Sequence, residues 1–205
     1  MKPPHSLTDD ELLKYIDEHV EYELDMLVWS AGILARLAPH KTDGYLPWAL
    51  NNGLLNSFAV HARNLIAFLY PSSVGKGFPT DVVIGDFVPH DVLSEHQPAI
   101  SSILEEAIVK SNKQVAHLSL ERLQYEAAGK EWKFIDVARD IKKALAAITP
   151  HIPSARISHQ LREKFTDPKL AIPFVDVTVL KTADAKSIGV TLALRPSTTT
   201  PTGSA

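Results

Sequence analysis

The chain has no cysteine. That excludes disulfide frameworks, thiolate metal sites and cysteine nucleophiles, and it suits a reducing compartment. Long apolar runs are missing too: no window approaches the roughly eighteen residues that a membrane span needs. The opening MKPPHSLTDDELL lacks the apolar core of a secretory leader. These absences lead us to expect a cytoplasmic protein without a membrane segment. Catalytic signatures are equally scarce. None of the nine histidines has a glutamate three residues before it, the pairing that helical di-iron sites use. A Gly-x-Ser-x-Gly elbow is absent, and SVGKGFPT lacks the spacing of a phosphate loop. Neither a metal nor a cofactor is expected.

What is present is helix. The chain has 205 residues, 45% of them hydrophobic, enough for one substantial core and an appendage. Thr8 and Glu11 have capping-box spacing and predict a helix start near Asp9. The stripe Leu13, Ile16, Val20, Leu24, Leu27, Ala31, Leu34 and Ala38 predicts one long amphipathic helix that Pro39 stops. PHKTDGYLP reads as a turn-rich connection, and Trp48 to Tyr70 as a second helix ended by Pro71. Residues 71–98 hold four prolines and three glycines and read as a loop insertion, with DVVIGDFV as a short strand. Further helices are expected from about Ala99 through Leu118, across LERLQYEAAGKEW, and from Phe134 to Ile148. ARISHQLREKF then reads as a short basic helix. FVDVTVL and SIGVTLAL alternate with period two around KTADAK, as a hairpin does. The polar RPSTTTPTGSA is too poor in apolar groups to order itself. The expected fold is mainly α: an up-and-down helical bundle over 1–153, a basic helix and small C-terminal β-hairpin over 154–194, and a disordered tail over 195–205.

Charge is distributed unevenly. Residues 1–30 carry two basic side chains against eight acidic ones, whereas residues 130–169 carry nine basic against five acidic. Either the later segment meets a polyanion, or the acidic and basic helices lie side by side. Asp17, Glu21 and Asp25 recur every four residues, a spacing that suits a divalent metal or, more simply, a solvated helix face.

Two histidines stand out. His61 falls on the stripe Leu54, Phe58, His61, Leu65 and Phe68, which predicts a core histidine hydrogen-bonded to Ser57 or Asn64. Arg63 points elsewhere, on a polar strip with Asn52, Asn56, Ala67 and Tyr70. In SNKQVAHLSLERL, helical spacing places Lys110, Lys113, His117 and Glu121 on one polar face opposite Leu104, Ile108, Val115 and Leu118. Lysines near His117 disfavour its cationic form and Glu121 favours it, so a proton donor or acceptor near neutral pH is available.

The pattern Asn-Lys-x-x-Ala-His-Leu followed by an arginine, behind a helix containing HARNLIAF, resembles the HEPN superfamily of small helical bundles over residues 48–148. The resemblance implies a homodimer. In its nucleolytic members an arginine and a histidine, four to six residues apart, cleave RNA. His117 matches the family histidine, and Asn112 stands where the arginine would be, with Lys113 beside it. A bidentate guanidinium is not reproduced by asparagine. Lys110, Lys113, Arg63 or Arg122 are the cations that could replace it at a phosphate. Two readings follow. One is a non-catalytic module that binds a nucleotide, a nucleic acid or a protein partner, in a toxin–antitoxin or antiphage setting. The other is a metal-independent endoribonuclease in which His117 is general acid or base, Asn112 and Lys113 complete the catalytic group, and the RNA 2′-hydroxyl is the nucleophile.

Overall fold

The structure is a computed structural model that describes residues 7–37, 45–75, 77–116, 131–167, 174–181 and 188–195. The fold is mainly helical. Helix α1 (Asp9–Tyr15) begins at the expected capping box: Thr8 Oγ1 accepts the Glu11 N–H at 3.3 Å, and Glu11 Oε2 accepts the Thr8 N–H at 2.8 Å. It runs through a π turn, Ile16–Val20, into α2 (Glu21–Leu37). The turn is closed by the Glu21 N–H donating to the Ile16 carbonyl, five residues back. The buried stripe explains it. Leu12, Ile16, Val20 and Leu24 are spaced by four and all buried. In a regular α-helix each four-residue step overshoots a full turn by about 40°. The wider π turn takes up that drift and keeps all four on the core. Leu12 therefore replaces Leu13, which is only half-buried, at the head of the stripe.

Helix α3 (Tyr45–Leu69) starts earlier than the sequence suggests, because Pro47 falls in its first turn, where no intrahelical N–H is required. Contacts between Glu23 and His61 at one end, and a cavity shared by Leu34 and Leu55 at the other, make α2 and α3 antiparallel. The connection after Pro39 and most of LERLQYEAAGKEW lie outside the described residues, as does the tail beyond Arg195.

Among its described residues the 71–98 excursion contains a helix and no strand. A 3₁₀ turn, Ile84–Asp86, occupies the stretch expected to be extended, and α4 (His90–His96) follows Pro89. The apolar pattern was real but serves a different geometry: Ile84, Phe87 and Val88 are buried in the common core, while Asp86 Oδ2 accepts the Val83 N–H at 2.8 Å. The excursion is anchored where it leaves and rejoins the bundle. Gln97 Nε2 donates to the Leu69 carbonyl at 2.6 Å, and the Tyr70 hydroxyl to that of Pro98 at 3.0 Å.

Helix α5 (Ser102–Lys110) is capped by Ser101 and continues as a second π turn, Ser111–Ala116. Helix α6 (Phe134–Ile148) packs on it, with Ser101 Oγ donating to Asp140 Oδ2 at 2.5 Å. Its buried Val137, Ile141, Leu145 and Ile148 recur every three or four residues and line the centre of the molecule. Helix α7 (His159–Thr166) adds Leu161 and Phe165 to the same core. No helix among the described residues is long and apolar enough to cross a membrane.

Candidate functional site

Arg63 and Asn112 are brought together by two elements. Ser111 Oγ, at the start of the second π turn, donates to the Ala59 carbonyl on α3 at 3.2 Å and holds that turn against the helix. One residue on, Asn112 Oδ1 accepts the Arg63 Nε–H at 2.9 Å. Both side chains are half-buried, and Lys113 beside them is also half-buried. The pair spans 49 positions of sequence, so no local spacing announces it. Among the described residues Arg63 forms no ion pair with a carboxylate, so its charge is steadied by a neutral amide and not cancelled. Val60 on α3 and Val109 on α5, each three residues before a member of the pair, are exposed at 48% and 45%.

Lys110 does not join this surface. Helical spacing places it on the polar face with Lys113, but its side chain is only 9% exposed and turns inward. Its ammonium bonds the Glu131 carbonyl, pairs with Glu106 Oε1 at 2.7 Å and lies 5.8 Å from the centre of the Trp132 ring. The physical reason is that a buried lysine charge needs acceptors, and here a carbonyl and a carboxylate supply them while the aliphatic stem packs. The hydrogen bond from Lys110 holds the Glu106 carboxyl below its usual range. Lys110 is thus a structural group and not a ligand-binding one. His117 and Arg122 lie outside the described residues.

His61 is buried, as its stripe predicts, but its partner is neither Ser57 nor Asn64. Nδ1 lies 2.7 Å from Glu23 Oε2 on α2, and Asn64 Nδ2 donates to both oxygens of that carboxylate at 3.2 and 3.3 Å. The Tyr22 ring closes the group edge-on to His61, with centroids 5.6 Å apart. Sequence reasoning missed Glu23 because a cross-helix partner 38 residues away leaves no periodic mark.

The acidic and basic segments do lie side by side. Lys164 Nζ is 2.7 Å from both Glu21 Oε1 and Asp25 Oδ1, and Arg156 Nε donates to Asp9 Oδ1 at 2.7 Å. Asp17, Glu21 and Asp25 therefore serve α7 and the turn before it, with Asp17 accepting the Ser158 N–H at 3.4 Å. Among the described residues no group of three or more histidines and carboxylates could hold a metal. Two cations of the basic segment, Arg156 and Lys164, are thereby paired with the acidic one inside the fold.

Comparison with family models, with curated proteins and with solved structures returned no match. The functional reading rests on the fold and on these side chains.

Proposed function

We propose that the chain is a non-catalytic binding module that recognises a phosphate-bearing ligand, a nucleotide or a nucleic-acid strand, through Arg63. The observation that carries this reading is the Arg63–Asn112 bond. A guanidinium fixed through Nε by an amide oxygen is oriented yet keeps its full charge, and its two terminal amino groups form the fork that phosphate oxygens accept. Asn112, at the position where the HEPN resemblance expects an arginine, then acts as the positioning group for an arginine from the neighbouring helix. The homodimer and the toxin–antitoxin or antiphage setting follow from the resemblance alone.

The same bond favours the ribonuclease as a second reading, since it puts a guanidinium at Asn112 after all. In that case His117 transfers the proton of the 2′-hydroxyl, Arg63 and Lys113 stabilise charge on the phosphorus oxygens, and no metal takes part.

One titration series tests both. Labelled single-stranded RNA, followed by anisotropy over a range of salt, should bind with an affinity that falls as salt rises. Arg63→Gln should weaken binding and reduce the log–log salt slope by about 1 while leaving the melting temperature unchanged. A flat salt dependence with equal affinity in Arg63→Gln would remove the binding reading. Cleavage of that RNA by the wild type, lost in a folded His117→Ala protein, would establish the second reading, and intact RNA would reject it.

A further inference from the structure

Two of the nine histidines meet face to face from separate segments. His96 is the last residue of α4, and His151 lies in the 3₁₀ turn Thr149–His151 that follows α6. Their rings are within 10° of parallel, with centres 3.8 Å apart. Such a stack is favourable while at most one ring is charged, because a cation is attracted to a neutral aromatic face. Two imidazolium rings at this distance repel each other. Both rings reach solvent, His96 with its side chain 34% exposed, so protons come and go freely.

The two halves of the stack are held unequally. The turn that carries His151 is fixed: Thr149 and Ile152 are buried, and Arg162 of α7 donates to the carbonyls of both, at 2.8 and 2.5 Å. Helix α4 is not. It has seven residues, none of them buried, and no side chain caps its first turn. A helix that short does not persist once it is unpacked. The chain on either side of it is secured. Upstream, Phe87 is buried and Arg156 bonds the Asp86 and Phe87 carbonyls; downstream, Gln97 and Pro98 are tied to Leu69 and Tyr70. The loosely held piece is therefore α4 itself, between two fastened ends.

From this arrangement we infer that the His96–His151 stack is a proton-sensitive clasp, which holds α4 on the end of α6 until both rings are protonated and then lets it detach. The other charged and titratable groups leave the repulsion standing. Glu95 Oε2 lies 3.7 Å from His96 Nε2 but is 76% exposed, so water screens it. Arg162 brings a further positive charge to the turn that carries His151. Residues 144–150, which lead into that turn, and 97–101, which follow α4, are uncharged, and His90 and Asp91 stand at the far end of α4. Tyr70, whose pKa burial raises, stays neutral throughout the acid range. The detached form accepts the second proton more readily than the stacked one. It binds more protons, so closure weakens as pH falls through the histidine range around pH 6.5.

Amide hydrogen exchange of the full chain tests the clasp. The N–H groups of Leu93 and Gln97, bonded to the Pro89 and Leu93 carbonyls at 3.0 and 2.9 Å, report on α4. That of Val137, bonded to the Lys133 carbonyl at 3.0 Å, reports on α6. From pH 7.5 to pH 5 the protection of Leu93 and Gln97 relative to Val137 should fall about threefold to sixfold, the upper figure being that of two unit charges 3.8 Å apart in water. His151→Phe and His96→Phe each keep a flat ring that takes up no proton. In either variant the relative protection should stay level over that range, and one folded variant of the two is enough. A wild-type ratio that does not fall, or one that falls equally in a folded variant, would overturn the assignment. The result bears on α4 alone and leaves the reading of Arg63 untouched.

Discussion

The lysines at residues 142 and 164 are neighbours with opposite electrostatic fates. Lys142 is 7% exposed, and its ammonium donates to the Lys164 carbonyl. Burial pushes its pKa down. Lys164 also suffers desolvation, but hydrogen bonds from its ammonium to Asp25 and Glu21, with the charge of both carboxylates, outweigh that and raise its pKa. Folded Lys164 keeps its proton longer than the unfolded chain does. Its contribution is fully present below the unfolded lysine value of about 10.4 and is lost as pH rises through the raised folded value. For Lys142 the sign reverses: between its lowered value and the unfolded one, the unfolded chain binds more protons and stability climbs with pH. Urea midpoints measured from pH 8 to pH 11 should show the wild type's advantage over Lys164→Met constant at first and shrinking at the alkaline end. Against Lys142→Met, the wild type should instead gain as pH rises. An advantage over Lys164→Met that does not shrink would show that the two carboxylates do not hold that ammonium.

At the scale of elements, the π turn at Ile16–Val20 behaves as an inserted residue, and its removal is the test. Deleting the exposed Glu18 should let α1 and α2 join as a regular helix, with little loss of helical signal. Deleting the exposed Arg139 from α6 should rotate Ile141, Leu145 and Ile148 by about 100° off the core and unfold the protein. Circular dichroism during a thermal melt separates the two outcomes. The same turn shows how far periodicity carries a reader. The capping box at Thr8, the helix from Phe134 to Ile148 and the buried face of His61 were legible because each depends on residues within a few positions of one another. The π turns were not, because a stripe spaced by four reads equally well as a slightly irregular α-helix. Ile84, Phe87 and Val88 were legible as apolar and illegible as a 3₁₀ turn, since short apolar runs do not distinguish the two. Of the candidate site, Arg63 and Asn112 were each recognisable as polar residues in suggestive positions. Their bond depends on Ser111 docking on Ala59, a tertiary contact with no sequence period, and the inward turn of Lys110 depends on Trp132 in the same way.

Across the molecule, a few residues tie distant segments into one body. Phe87 is fully buried and meets Phe68 of α3 edge-on at 5.7 Å, so Phe87→Ala should cost about 3–5 kcal/mol and free the 71–98 excursion. Arg156 works from the opposite side of the same excursion. It reaches Asp9 at 2.7 Å and the carbonyls of Asp86 and Phe87 at 3.1 and 3.3 Å. Arg156→Met keeps the aliphatic stem and removes these bonds, with an expected loss of roughly 1–2 kcal/mol. Limited proteolysis should then cut first within residues 71–98, and a cleavage pattern identical to the wild type's would show that Arg156 does not secure that segment.

Asp9 and Arg156 are separated by 147 positions. During synthesis the helix that begins at Asp9 leaves the ribosome 147 residues ahead of the side chain that clasps it. The acidic flank that meets Arg156 and Lys164 must until then be satisfied by water and counterions.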